Sequence, residues 1–156
     1  MRVLVECYPD RALVLALGVP KRQLRHERCK GEVVKRVRKL DDVTGIVDED
    51  PASAQPHDLN NYDIAAEVEG LRLLSRRDQR NRRMVVICPR LEDWLLQRAR
   101  ASGVEPQDHG LPDHPRQLHG MGRYDLKSGF GPFLTKLIDR DKALSVLREW
   151  ILSPET

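Results

Sequence analysis

The sequence predicts an α/β domain built on a mainly parallel sheet with helices on its faces. Three observations carry that expectation. Short apolar runs bounded by turn residues alternate with amphipathic stretches along the chain. The length, 156 residues, suits one domain with one core. The composition, 40% hydrophobic and 33% charged, is that of a globular chain with a heavily charged surface, not a disordered one.

Arg2 to Glu6 (RVLVE) reads as a largely buried strand, broken by Tyr8-Pro9-Asp10. Asp10 is placed to cap a short helix through Leu17, which Gly18 closes. Gln23 to Arg28 gives a second, weakly patterned strand. Gly31 to Leu40 is an amphipathic helix, with Val33, Val34, Val37 and Leu40 on one face and Lys35, Arg36, Arg38 and Lys39 elsewhere. Val43 to Asp48 (VTGIVD) is a third strand that stops at Asp48-Glu49-Asp50-Pro51. Ala52 to Tyr62, polar and carrying proline and asparagine, reads as a loop. Ile64 to Val68 is expected to form a short helix. Leu71 to Ser75 and Met84 to Cys88 are further strands on either side of an arginine cluster. Pro89 opens a helix to Ser102 that Gly103 ends, with Leu91, Trp94, Leu95 and Ala99 as its apolar stripe. From Val104 to Gly129 the chain is irregular and rich in Pro, Gly and His. Helices over Pro132 to Ile138 and Lys142 to Leu152 close it. Residues 1–103 are thus read as the α/β core, and 104–156 as an irregular loop and C-terminal helical extension packing on it.

Several classes are set aside by composition. No apolar run approaches the roughly 20 residues that span a bilayer, so no membrane association is expected. Glu6 and Asp10 fall where a secretory signal would be apolar. Three cysteines, Cys7, Cys29 and Cys88, are widely spaced and form neither a disulfide framework nor a CxxC knuckle, which fits a reducing cytoplasm. No P-loop is present.

The formal charge is only +3, but the basic residues are clustered. Lys21, Arg22, Arg25, Arg28, Lys30, Lys35, Arg36, Arg38 and Lys39 form one block. Arg76, Arg77, Arg80, Arg82 and Arg83 form a second, from which Arg76, Arg77 and Arg80 are the candidates to hold a nucleic-acid backbone. Aromatics are 4% of the chain and none interleaves with these blocks, which argues against base stacking.

Acidic residues gather where strands end. Glu6 closes the first strand, Asp48 and Asp50 flank Glu49 after the third, and Glu92 and Asp93 open the helix after the last. Ligands bind beyond the carboxyl ends of strands in open parallel sheets. Carboxylates gathered there repel each other unless a cation joins them, and hard oxygen ligands suit Mg2+ or Mn2+. Asp48 and Asp50 face one side if the strand continues. Glu92 and Asp93 also complement the positive end of a helix dipole. His109, His114 and His119 recur every five residues in DHGLPDHPRQLHGMG, but the spacing matches no zinc motif and they read as loop histidines. Lys127 and Lys136 follow, and the sequence does not choose between them as phosphate contacts.

The pattern LVECYPDRALVLALG followed by GIVDEDP resembles the Toprim domain of topoisomerases, primases and OLD-family nucleases. That family has a strand ending in Glu, often as Glu-Gly-x-x-Asp, and a later strand ending in Asp-x-Asp. The resemblance covers residues 1–103 and assigns Glu6, Asp48 and Asp50 as catalytic and metal-binding acids. The stretch CPRLEDWLLQRA resembles the Glu-bearing helix of small stand-alone members and adds Glu92 to the metal-linked set. Cys7 stands where the family glycine would be. What the resemblance implies is a Mg2+- or Mn2+-dependent nuclease or related phosphodiester-processing enzyme. The alternative is a non-catalytic module that binds nucleic acid or a protein partner within a larger assembly. A phospho-receiver domain fits less well, because Cys88-Pro89 replaces its lysine and Glu6 stands alone after the first strand. A haloacid-dehalogenase phosphatase would carry its Asp-x-Asp after the first strand, and here the pair follows the third.

Overall fold

A computed structural model describes residues 1–152. Its strands are β1 (Arg2–Val5), β2 (Leu24–His26), β3 (Val43–Asp48), β4 (Tyr62–Val68), β5 (Leu71–Arg76) and β6 (Arg82–Ile87). They form one six-stranded sheet in the order β2-β1-β3-β6-β5-β4. The first four strands of that order run parallel. β5 is antiparallel to β6, and β4 to β5. The protein is therefore α/β, with an antiparallel hairpin added to one side of a parallel sheet.

The helices are α1 (Tyr8–Ala16), α2 (Lys30–Val37), α3 (Leu91–Ser102), α4 (Pro115–Gly120), α5 (Phe130–Arg140) and α6 (Lys142–Leu152). Strand alternation decides which of them each residue meets. Val3, Val5, Ile46, Val85 and Ile87 point to the face covered by α1, α3, α5 and α6. Leu4, Val43, Val47, Met84 and Val86 point to the face covered by Val33, Val34 and Val37 of α2. Gly45 of β3 lies on this second face. A Cβ there would stand 2.7 Å from Val33 Cγ1 and 2.8 Å from Met84 Sδ, so its lack of a side chain lets α2 seat against the sheet.

Two expectations are corrected. Ile64–Val68 is not a helix but the body of β4, which returns into β5 through a two-residue turn, Glu69-Gly70. Both turn residues have positive φ, 42° and 84°, as the tight hairpin turn requires. A bulge between Ile64 and Ala66 breaks the alternation that would have marked the strand. Asp10 does not cap α1: Cys7 is the N-cap, makes no side-chain cap bond, and leaves Asp10 inside the first turn.

The stretch from Val104 to Gly129 has more order than its composition suggests. It holds 3₁₀ turns at Pro106–His109 and Tyr124–Leu126 and the short α4. Leu111, Leu118 and Tyr124 drop from it into the larger core, and α5 then starts at Phe130, two residues earlier than expected. All three cysteines are free. Among the described residues no helix is long and apolar enough to cross a membrane.

Candidate functional site

Beyond the carboxyl ends of the parallel strands lies a cleft of about 840 Å³. Glu6 and Asp48 line it, and the buried Asp10 lies against them, so that three carboxylates from different elements converge. β1 stops at Val5, and the side chain of the next residue, Glu6, crosses to β3. There its Oε1 accepts the Asp48 backbone N–H at 2.7 Å. Asp48 ends β3 in the same alternation as Thr44 and Ile46, so it faces the α1 and α3 side. Its Oδ1 accepts the Leu91 N–H at the start of α3, at 3.1 Å. Asp10 comes from the first turn of α1 and is fully buried. Neither of its carboxyl oxygens has a hydrogen-bond partner among the described residues. One oxygen each from Glu6, Asp10 and Asp48 lies within 4.8 Å of the others.

This crowding shifts protonation. Burial, reinforced by the charges of Glu6 and Glu92, pushes the Asp48 carboxyl up to about 8. Burial and the Asp48 charge raise Asp10 well above the usual carboxylate range. Burial raises Glu6 as well, opposed by the Asp48 N–H and by Lys30. Without a cation, burial and mutual repulsion favour the protonated forms of Asp10 and Asp48, whose titrations are linked. Cys7 lines the cleft, and burial, then the Asp10 charge, push its thiol up and favour the protonated form. Three oxygen donors this close match the ligand chemistry of a small hard cation.

Glu92 is buried beside the trio and is held from behind. Its Oε1 pairs with His119 Nδ1 at 2.7 Å, and its Oε2 accepts the Tyr124 hydroxyl at 2.8 Å. Both partners come from the 104–156 stretch, which therefore builds part of the cleft wall. His119 is thus more than a loop histidine, and nothing in the sequence around Tyr124 marks it as part of a site. Only the tertiary approach of α4 to α3 brings them to Glu92.

Asp50 stands apart from the trio. The strand ends at Asp48, and Asp50 has a left-handed φ of 43°, so the shared-side expectation fails. Its Oδ1 accepts from Arg90 Nε and Nη2 at 3.2 and 3.1 Å on the cleft rim. The Arg90 guanidinium holds the Asp50 carboxyl below its ordinary range. Glu49 turns instead to Arg72, at 2.9 Å. Lys30 lines the cleft and donates to the Glu49 carbonyl at 2.8 Å and to Gln55 Oε1 at 2.7 Å.

Arg76, Arg77 and Arg80 lie at the opposite end of the strands, beyond the amino ends of the parallel ones. β5 ends there and β6 begins there, with Arg82 of β6 paired to Val43 at the start of β3. Each is neutralised locally: Arg76 by Asp58 and Asp78, Arg77 and Arg80 by Asp63. They do not join the cleft. Of the other histidines, His109 packs edge-on to Phe133, and His114 Nδ1 accepts the Arg116 N–H. Lys127 and Lys136 are exposed and outside the cleft lining. No family model matches the chain, and neither does a curated protein or a solved structure.

Proposed function

We propose that the cleft is a Mg2+- or Mn2+-dependent phosphodiester-hydrolysing site on a Toprim-like core. The observation that carries this reading is Asp10, a fully buried carboxylate with no N–H or O–H donor, beside Glu6 and Asp48. A buried charge without compensation is costly, and a cation shared by the three removes the cost. The parallel order β2-β1-β3-β6, with acids after β1 and β3, supports the Toprim resemblance. So does the spacing of Glu6 and Asp10, which occupy the two acidic positions of Glu-Gly-x-x-Asp.

On this reading Glu6, Asp10 and Asp48 hold the cation. When bound, it supplies charge neutralisation at the phosphate and an activated water. Glu92 is kept in place by His119 and Tyr124 and adds negative charge beside the trio. Arg28, Lys30 and Arg90 give the cleft positive groups for phosphate oxygens. Asp50 orients Arg90 rather than joining the cation.

The test is cleavage of a labelled oligonucleotide with Mn2+ against EDTA. Turnover is expected with Mn2+ only, to fall by nearly all of its value in Glu6→Gln and Asp10→Asn, and to persist largely in Asp50→Asn. Cys7 at the family glycine position favours a second reading, a binding module that holds the metal without catalysis. Mn2+ binding with no cleavage by the unaltered protein selects that reading over hydrolysis.

A further inference from the structure

No aromatic interleaves with the basic blocks in the sequence, but the fold brings one beside His26, within the first block. Tyr8, the first residue of α1, stacks on His26, the last residue of β2, with ring centroids 4.2 Å apart and planes 11° apart. The guanidinium carbon of Arg123 lies 3.9 Å from the centroid of the Tyr8 ring. Asp125 grips that guanidinium through Nε and Nη2, both at 2.9 Å, and fixes its plane. The result is a column of three flat groups. His26 and Arg123 are exposed, and Tyr8 itself is 43% exposed, so the column is not part of the core.

Its position ties it to the cleft. His26 pairs in register with Val5, the residue before Glu6. Arg28, two residues on, lines the cleft, as does Gly122 next to Arg123. Charge points the same way. Arg25 and Arg28 are exposed and have no carboxylate partner among the described residues, whereas Arg76, Arg77 and Arg80 each have one. Arg25 and Arg28 therefore leave basic charge free for a polyanion on the β2 edge, beside the cleft.

We infer that a single-stranded polynucleotide enters the cleft over the β2 edge, its phosphates on Arg25 and Arg28 and an unstacked base on the Arg123–Tyr8–His26 column. Imidazole rings and guanidinium planes both accept a base face to face. A duplex keeps its bases stacked inside and offers the column nothing, so the surface selects single strands. This rests on the reading of the cleft as a phosphodiester site.

Binding is measured by fluorescence anisotropy in EDTA at pH 8, with labelled oligo-dT, oligo-rU and a duplex as probes. Single strands are expected to bind more tightly than the duplex, and the dT and rU arms separate DNA from RNA as the preferred strand. Arg25→Ala with Arg28→Ala lowers the slope of log affinity against log salt by about 1.4, since each phosphate contact on a single strand contributes about 0.7. His26→Ala weakens binding by about 5-fold or more with the slope unchanged, as loss of one stacking plane requires. Arg77→Ala with Arg80→Ala leaves both quantities as they are. Equal loss in the two arginine pairs, or duplex bound as tightly as single strand, overturns the path. Because EDTA removes the metal, intact binding without Mn2+ cleavage defeats hydrolysis and leaves the path standing. Cleavage indifferent to Arg25 and Arg28 does the reverse.

Discussion

A carboxyl group with no exposed surface and no N–H or O–H donor favours its neutral form, and Asp10 meets both conditions. The consequence for stability has a definite sign. Glu6, Asp10 and Asp48 all have folded pKa values raised by burial, Asp48 to about 8. A raised carboxyl contributes stability that is full below about pH 4, its unfolded range, and is lost as pH climbs through the folded value. The melting temperature in EDTA is therefore expected to fall from pH 5 to pH 8. Asp50 and Asp63 are held low by arginines and lose their contribution only below about pH 4, outside this window. Asp10→Asn should flatten the fall and raise the melting temperature at pH 8, and differential scanning calorimetry reads both. A lower melting temperature for Asp10→Asn would mean that the carboxylate has a structural partner. Glu6 and Asp48 were legible because each ends an apolar run. Asp10 was not, because a Pro-Asp pair opening a helix looks the same whether the aspartate caps it or turns inward. That difference is set by how α1 lies on the sheet.

Elements were legible where pattern and local chemistry agreed. β3 has the bounds its apolar run implied, and α3 closes at Gly103 with φ 69°, as a glycine stop should. β4 is not legible as a strand because Ala65-Ala66 and the bulge hide its alternation, and its pairing with β5 is a tertiary fact. The packing of α2 on β3 gives a prediction at this scale. Gly45→Ala places a methyl against Val33 and Met84 and should destabilise the protein by about 1–3 kcal/mol, the usual range for overpacking. Urea unfolding measures it. An unchanged midpoint would show that Val33 and Met84 move aside at no cost.

At the scale of the whole molecule, strand direction separates two chemistries. The parallel strands deliver Glu6 and Asp48 to one end of the sheet, while the antiparallel return of β5 carries Arg76, Arg77 and Arg80 to the other end. The sequence holds both groups but not the strand order, so their separation was not legible in it. The part that 104–156 plays in the cleft was equally hidden, since His119 and Tyr124 meet Glu92 only after α4 docks on α3. The central claim is that Glu6, Asp10 and Asp48 form a cation site that excludes Asp50. Titration calorimetry with Mn2+ at pH 7 tests it most directly. Binding is predicted for the unaltered protein and for Asp50→Asn, and its loss is predicted in Asp10→Asn and Asp48→Asn. Undiminished binding in Asp10→Asn, or loss in Asp50→Asn alone, would contradict the account.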